Sequence, residues 1–84
     1  MRITFKLFAT LTDYLPHDGR ATNEVSLDLA EGTTIAQVIE RFRVPPKRAH
    51  LVLVNGIFVP PEVRAGYRLA PGDVLAIWPP IAGG

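Results

Sequence analysis

Few side chains in this sequence are suited to covalent chemistry. There is no cysteine among the 84 residues, and the two histidines, His17 and His50, lie far apart along the chain. The absence of cysteine excludes a disulfide framework, a thiol nucleophile and a Cys-ligated metal or cluster. Neither histidine belongs to a pattern of metal ligands, so we expect no bound metal. Any reactive chemistry must therefore use a group other than sulfur or imidazole.

The sharpest functional signal is the pair Gly83-Gly84 at the end of the sequence. At an average glycine usage of about 7%, such a pair arises at a given position with a chance of roughly 0.5%. Glycine has no Cβ, so this backbone can pass through a channel that is too narrow for other residues. The stiff Pro79-Pro80 pair lifts the segment away from the strand before it. The pair thus places the carboxylate of Gly84 at the tip of an end that could enter such a channel, and a frayed end of no function is the alternative.

Composition and charge limit the classes of partner. Nine basic and eight acidic residues leave a net charge of +1, whereas nucleic-acid binding uses clustered Lys and Arg. No apolar stretch approaches the ~20 residues of a membrane-spanning helix, and the N-terminus lacks the apolar region of a signal peptide. We therefore expect one cytoplasmic domain whose partners include neither nucleic acid nor membrane.

The spacing of apolar residues indicates the elements that must position the Gly-Gly end. Alternation of apolar and polar residues predicts strands near residues 2–8 and 24–29, and apolar runs predict strands near residues 50–54, 57–59 and 74–78. Residues 51–54 are apolar on both faces, which predicts an interior strand that is covered on at least one side. Asn55-Gly56 favours a type I′ hairpin turn between the third and fourth strands, because both residues tolerate positive φ.

One helix is predicted near residues 34–43. Its apolar residues recur at i, i+3, i+4 and i+7, namely Ile35, Val38, Ile39 and Phe42. Thr34 and Gln37 match a capping box at its start, and Pro45-Pro46 would end it. One helix can cover one face of a sheet, so this order of elements predicts an α+β, ubiquitin-like β-grasp fold. We expect a mixed sheet of four to five strands in residues 1–78, followed by a flexible tail, residues 79–84, that is disordered in the free chain.

Phe8 and Trp78 stand out because alternation places both on the polar side of their strands. The first and last strands of a β-grasp sheet are neighbours, so the two rings should form one patch beside the tail. We expect both rings to be largely exposed in the isolated chain and buried against a partner, since exposed aromatic patches mark binding surfaces. The alternative is that residues 9–15 or the loop 16–23 cover them.

The ending Ile77-Trp78-Pro79-Pro80-Ile81-Ala82-Gly83-Gly84 resembles that of the MoaD/ThiS family of ubiquitin-like sulfur carriers. Phe8-Ala9 after the first strand, the Val54-Asn55-Gly56 hairpin and Pro71-Gly72-Asp73 before the last strand are also similar to that family. The resemblance covers essentially the whole chain. An aromatic residue before Pro-Pro is more similar to the small subunit of molybdopterin synthase than to the thiamine-pathway carrier.

The resemblance implies a sulfur carrier that is not itself an enzyme. In the family, a ubiquitin-activating-type enzyme uses ATP to adenylate the terminal carboxylate, here that of Gly84, which then becomes a thiocarboxylate with sulfur from a donor protein. Carried over to this sequence, Pro79, Pro80, Ile81, Ala82 and Gly83 thread the tail into the partner's site. The carrier binds no cofactor, and the catalytic groups lie on the acceptor synthase. That acceptor is the large molybdopterin synthase subunit or, alternatively, a thiazole synthase.

Three other functions remain open at this point. The chain could supply sulfur to thiazole or to another cofactor. It could also be a ubiquitin-like modifier that is joined through Gly84 to lysines of target proteins. Finally, it could be a β-grasp interaction module in which the Gly-Gly pair has no role.

Overall fold

Five strands form one mixed sheet, and the one α-helix among residues 1–81 covers one of its faces. The structure is a computed structural model that describes residues 1–81. Within these residues the strands are β1 (Arg2–Leu7), β2 (Glu24–Asp28), β3 (Leu51–Val54), β4 (Ile57–Phe58) and β5 (Val74–Trp78), and the helix is α1 (Ile35–Arg41). Short 3₁₀ turns occupy Ala9–Tyr14, His17–Gly19 and Pro61–Val63. The predicted β-grasp architecture is confirmed, and each strand boundary lies within one residue of its prediction.

The strand order across the sheet is β2-β1-β5-β3-β4. The first and last strands are parallel neighbours, with Phe5 opposite Leu75 and Leu7 opposite Ile77. All other strand pairs are antiparallel. The C-terminal ends of β1 and β5 therefore lie side by side in the middle of the sheet, and the tail leaves the sheet there.

The core lies between this sheet and α1. Phe5, Leu75 and Ile77 are fully buried on the sheet side, and Val38 is fully buried on the helix side. Phe42, at the end of α1, packs on Phe5 with ring centroids 4.9 Å apart. The sheet face that points away from α1, called the open face below, carries the alternate residues of each strand.

Both ends of α1 are held by local hydrogen bonds. The predicted capping box is confirmed, since Gln37 N–H donates to Thr34 Oγ1 at 3.2 Å and Thr34 N–H donates to Gln37 Oε1 at 2.9 Å. The helix ends earlier than the predicted residue 43. Arg43 adopts a left-handed φ of 58°, and the N–H of Val44 donates to the carbonyl of Ile39 at 3.1 Å. These are the features of a Schellman motif, which ends the helix before the prolines can.

We expect Arg43→Gly to stabilise the domain by about 0.5–1 kcal/mol, because glycine adopts the left-handed conformation without a Cβ penalty. Chemical denaturation would measure this gain. Arg41→Gly, inside the helix, is the matched control and should destabilise by about 1 kcal/mol. A loss of stability in Arg43→Gly would contradict the assignment of a strained helix end.

The hairpin between β3 and β4 has the predicted turn chemistry. Asn55 and Gly56 have φ of 52° and 83°, as a type I′ turn requires. No helix among residues 1–81 has the length and apolar content needed to cross a membrane.

Candidate functional site

The tail leaves the domain at the end of β5. Trp78 is the last residue of that strand, and its carbonyl accepts a hydrogen bond from the N–H of His50 at 3.1 Å. Pro79 is half-buried, Pro80 is exposed, and Ile81 is 82% exposed. The described part of the tail thus lies outside the core, while Ala82, Gly83 and Gly84 lie outside the described residues.

Phe8 and Trp78 form an aromatic pair at the root of the tail. Their rings are stacked, with centroids 4.0 Å apart and planes inclined by 2°. Neither ring belongs to the hydrophobic core. The prediction that the two residues lie together is confirmed, but the expectation that both are largely exposed is wrong. Each is half-buried, because each ring covers a face of the other.

The backbone around Phe8 holds its ring in place. Phe8 N–H donates to the carbonyl of Ile77 at 3.1 Å, which extends the pairing of β1 with β5 by one residue. Ala9 then takes a left-handed φ of 53° and turns the chain into the 3₁₀ segment. A left-handed conformation is unfavourable for alanine, so the surrounding contacts must hold this sharp turn after Phe8.

Next to the aromatic pair, the open face carries further apolar side chains, called the apolar band below: Leu51, Leu53, Phe58 and Ala76. Register places Leu51 opposite Trp78, Leu53 opposite Ala76, and Phe58 opposite Leu53. Phe58 is 51% exposed and Leu51 is 37% exposed. The sequence analysis missed these residues of β3 and β4. Their signal was the unbroken apolar run of β3, which predicted an interior strand but did not show that one of its faces is left uncovered.

The other half of the open face is polar. Arg2 pairs with Asp28 at 3.0 Å and Lys6 pairs with Glu24 at 3.9 Å, across β1 and β2. Because all four charges are balanced within the sheet, this half resembles an ordinary solvated surface. The open face is thus divided into a charged half over β1 and β2 and an apolar half over β5, β3 and β4, and only the apolar half has the character of a binding surface.

The described residues contain no candidate metal site. In residues 1–81 no group of three or more His, Asp or Glu side chains is placed to hold a metal ion. The pKa of Arg64 is lowered by burial, against the opposing effect of the Glu62 carboxylate. The hydrogen bonds of the Arg64 guanidinium all go to backbone carbonyls.

Comparison with solved structures shows the same fold in other proteins. The small archaeal modifier protein 1 of Haloferax volcanii is 23% identical, with a TM-score of 0.67, and the match covers 95% of this chain and 98% of that one. A putative molybdopterin converting factor subunit 1 from Pyrococcus furiosus is 21% identical, with a TM-score of 0.68 and coverage of 96% and 99%. The Haloferax volcanii HVO 2177 protein is 20% identical, with a TM-score of 0.73 and coverage of 100% and 87%.

Comparison of the sequence with curated proteins found no match. Comparison with protein families matches residues 5–84 to the ThiS family. The match covers nearly the whole chain, including the aromatic pair and the tail. The chain therefore belongs to the ThiS family, as the sequence resemblance predicted.

Proposed function

We propose that this protein is a sulfur carrier whose Gly84 carboxylate is adenylated and then converted to a thiocarboxylate. The observation that carries the proposal is the site at the end of β5, where an apolar band and a stacked aromatic pair adjoin a tail that leaves the core. Membership of the ThiS family over residues 5–84 supports it. Zero cysteines are compatible with this chemistry and exclude a persulfide on the carrier itself.

The proposed activation makes a poor electrophile reactive. A carboxylate is anionic and would have to expel oxide or hydroxide, so one of its oxygens first attacks the α-phosphorus of ATP and pyrophosphate leaves. The acyl-adenylate then loses AMP when a hydrosulfide-level sulfur attacks its carbonyl carbon, which forms the C–S bond and breaks the C–O bond. The activating enzyme and the sulfur donor supply the catalytic groups, and the carrier supplies its tail and its docking surface.

Intact mass spectrometry tests this proposal directly. The protein is incubated with ATP, a ubiquitin-activating-type enzyme and a sulfur donor, and its mass is compared with that of the untreated chain. Replacement of one oxygen by sulfur adds about 16 Da. Omission of ATP is the control. A chain that keeps its original mass with every activating enzyme of this type would contradict the proposal.

We propose molybdopterin synthesis as the pathway, with the large synthase subunit as acceptor. The Trp78-Pro79-Pro80 sequence supports this choice, as does the fold shared with the Pyrococcus furiosus protein described as a putative molybdopterin converting factor subunit. The thiocarboxylated protein would be offered separately to a large synthase subunit and to a thiazole synthase. Sulfur transfer only to the second enzyme would assign the protein to thiamine synthesis instead.

Protein modification is the second candidate, because the fold is shared with a protein described as an archaeal modifier. Both functions begin with the same adenylate, and they differ in what attacks it. A modifier would form an isopeptide bond between Gly84 and a lysine Nζ of a target. Tryptic peptide mapping distinguishes this outcome from a thiocarboxylate: because Arg68 is the last basic residue, a modified lysine would carry the remnant from Leu69 to Gly84.

Gly83→Ala should fold normally and react poorly. If the activating enzyme encloses the tail in a narrow channel, the added Cβ meets its wall, while the domain is unaffected because Gly83 follows the core. The rate of adenylate formation, followed by pyrophosphate release, measures the effect. Gly66→Ala is a matched control, since a Cβ there has no atom within 4 Å. A normal rate in Gly83→Ala would contradict the prediction, because it would show that the enzyme accepts a side chain at residue 83.

A further inference from the structure

Arg64 is the one charged side chain that is buried in residues 1–81, with 7% of its surface exposed. Its guanidinium donates three hydrogen bonds to backbone carbonyls: Nε to Val59 at 3.0 Å, Nη1 to Ala49 at 2.7 Å and Nη2 to His50 at 3.1 Å. Ala49 and His50 precede β3, and Val59 follows β4. One side chain thus joins the segment that enters the hairpin to the segment that leaves it.

The contact at His50 leads directly to the tail. The carbonyl of His50 accepts from Arg64, and the N–H of His50 donates to the carbonyl of Trp78 at 3.1 Å. That carbonyl belongs to the peptide bond between Trp78 and Pro79. The position of His50 therefore influences where the tail begins and how the Trp78 ring meets Phe8.

The segment before β3 is anchored in the core at its two ends, where Val44 and Ala49 are buried. A groove of about 600 Å³ lies beside it, lined by α1, the Val44–Ala49 segment and the turn that contains Arg64. Pro45 and Pro46 have no N–H to donate. Because residues 45–48 are exposed and border this groove, the hydrogen bonds of Arg64 help to hold the segment where it enters β3.

The charge of the guanidinium strengthens these bonds. Burial lowers the pKa of Arg64 and the Glu62 carboxylate opposes that effect, but arginine remains protonated in proteins. Hydrogen bonds from an ionised donor are stronger than neutral ones. Only a planar guanidinium has donors that diverge enough to reach three carbonyls, so lysine cannot replace it here.

We propose that Arg64 is a positioning residue for the tail. Through His50 it sets the geometry of the Trp78–Pro79 peptide and of the aromatic pair. This geometry in turn determines how well the carrier docks on its activating enzyme. The docking part rests on the function proposed above, whereas the effect on Trp78 does not. Arg64 itself is expected to touch neither ATP nor the reacting carboxylate.

The test compares Arg64→Ala and Arg64→Lys with Leu29→Ala, well below the melting temperature of each variant. Leu29 is buried beside β2, at the edge of the sheet opposite to β4, and its N–H donates a hydrogen bond to the carbonyl of Met1. Its truncation therefore destabilises the fold without altering the contacts of β3. Trp78 is the single tryptophan, so its indole N–H resonance reports on the aromatic pair. Arg64→Lys retains the positive charge and most of the side-chain length. If Arg64→Ala does not fold, Arg64→Lys alone is compared with Leu29→Ala.

We expect both Arg64 variants to shift the indole resonance towards its position in Phe8→Ala. We also expect the KM for the carrier in adenylation to rise by about fivefold or more, the lower end of coupling between linked sites, with kcat nearly unchanged. Leu29→Ala should lower the melting temperature and leave both readouts at wild-type values. Arg64 variants that match Leu29→Ala in both readouts would overturn the proposal. If the wild-type chain is never adenylated, the proposed function fails, while the indole resonance still decides the structural claim about Arg64.

Discussion

Deletion of Gly84 is expected to abolish sulfur transfer to this protein completely, and so is the addition of residues after Gly84. Either change removes the carboxylate from the position in which its oxygen can attack the α-phosphorus of ATP, so no adenylate forms and the mass gain of about 16 Da disappears. The fold should be unaffected, because the core ends with β5 and Ile81 is already 82% exposed. Intact mass after treatment with ATP, enzyme and donor measures the loss, and thermal melting checks the fold.

An extension that a protease can remove provides the matched control. The extended chain is tested before cleavage and again after cleavage back to Gly84, and the mass gain should return only after cleavage. An extended chain that still accepts sulfur would place the chemistry elsewhere. Because the chain has no cysteine to receive the sulfur, the sulfur-carrier function would then have to be abandoned.

Truncation of the aromatic pair is expected to give the second largest effect. Phe8→Ala or Trp78→Ala should weaken binding to the acceptor enzyme by ~1–3 kcal/mol, as for other aromatic anchors of interfaces. This corresponds to a rise in Kd of roughly 5- to 150-fold. The physical reason is that each ring offers a large apolar surface beside the tail, and docking removes that surface from water. Calorimetric titration of the acceptor with each variant measures the change.

Ile57→Ala is the matched control for this prediction. Ile57 is apolar and 72% exposed, but it lies opposite Val54 of the core side and is therefore not part of the apolar band. Its truncation should leave Kd unchanged. The stability of Phe8→Ala and Trp78→Ala should fall only modestly, because both rings are half-buried and neither belongs to the core. Wild-type affinity in both variants would exclude the aromatic pair as a docking surface.

A residue of the apolar band extends the same comparison. Phe58 lies two strands away from Trp78 across the open face and is 51% exposed. A smaller loss of affinity in Phe58→Ala than in Trp78→Ala would locate the centre of the interface at the tail. Equal losses would indicate that the acceptor covers the whole apolar band.

The strands and the helix could be predicted from the amino-acid sequence, because each depends on residues that are close along the chain. The apolar stripe of the helix spans only residues 35–42 and the capping box only residues 34–37. The turn at Asn55-Gly56 needs only the φ preferences of two residues. The Gly-Gly ending and its family resemblance are likewise readable without coordinates. These signals sufficed for the β-grasp fold and for the placement of Phe8 beside Trp78, since first and last strands of that fold are neighbours.

Features that depend on residues distant in sequence could not be predicted and became visible only in the folded structure. The stacking that half-buries Phe8 against Trp78 follows from the register of β1 with β5, and the apolar band follows from the register of β5 with β3. The three carbonyls that Arg64 binds come from two separate segments, so no local pattern marks this arginine among the eight other basic residues. Spacing along a chain determines which face of an element is apolar, whereas the packing of other elements determines whether that face is covered.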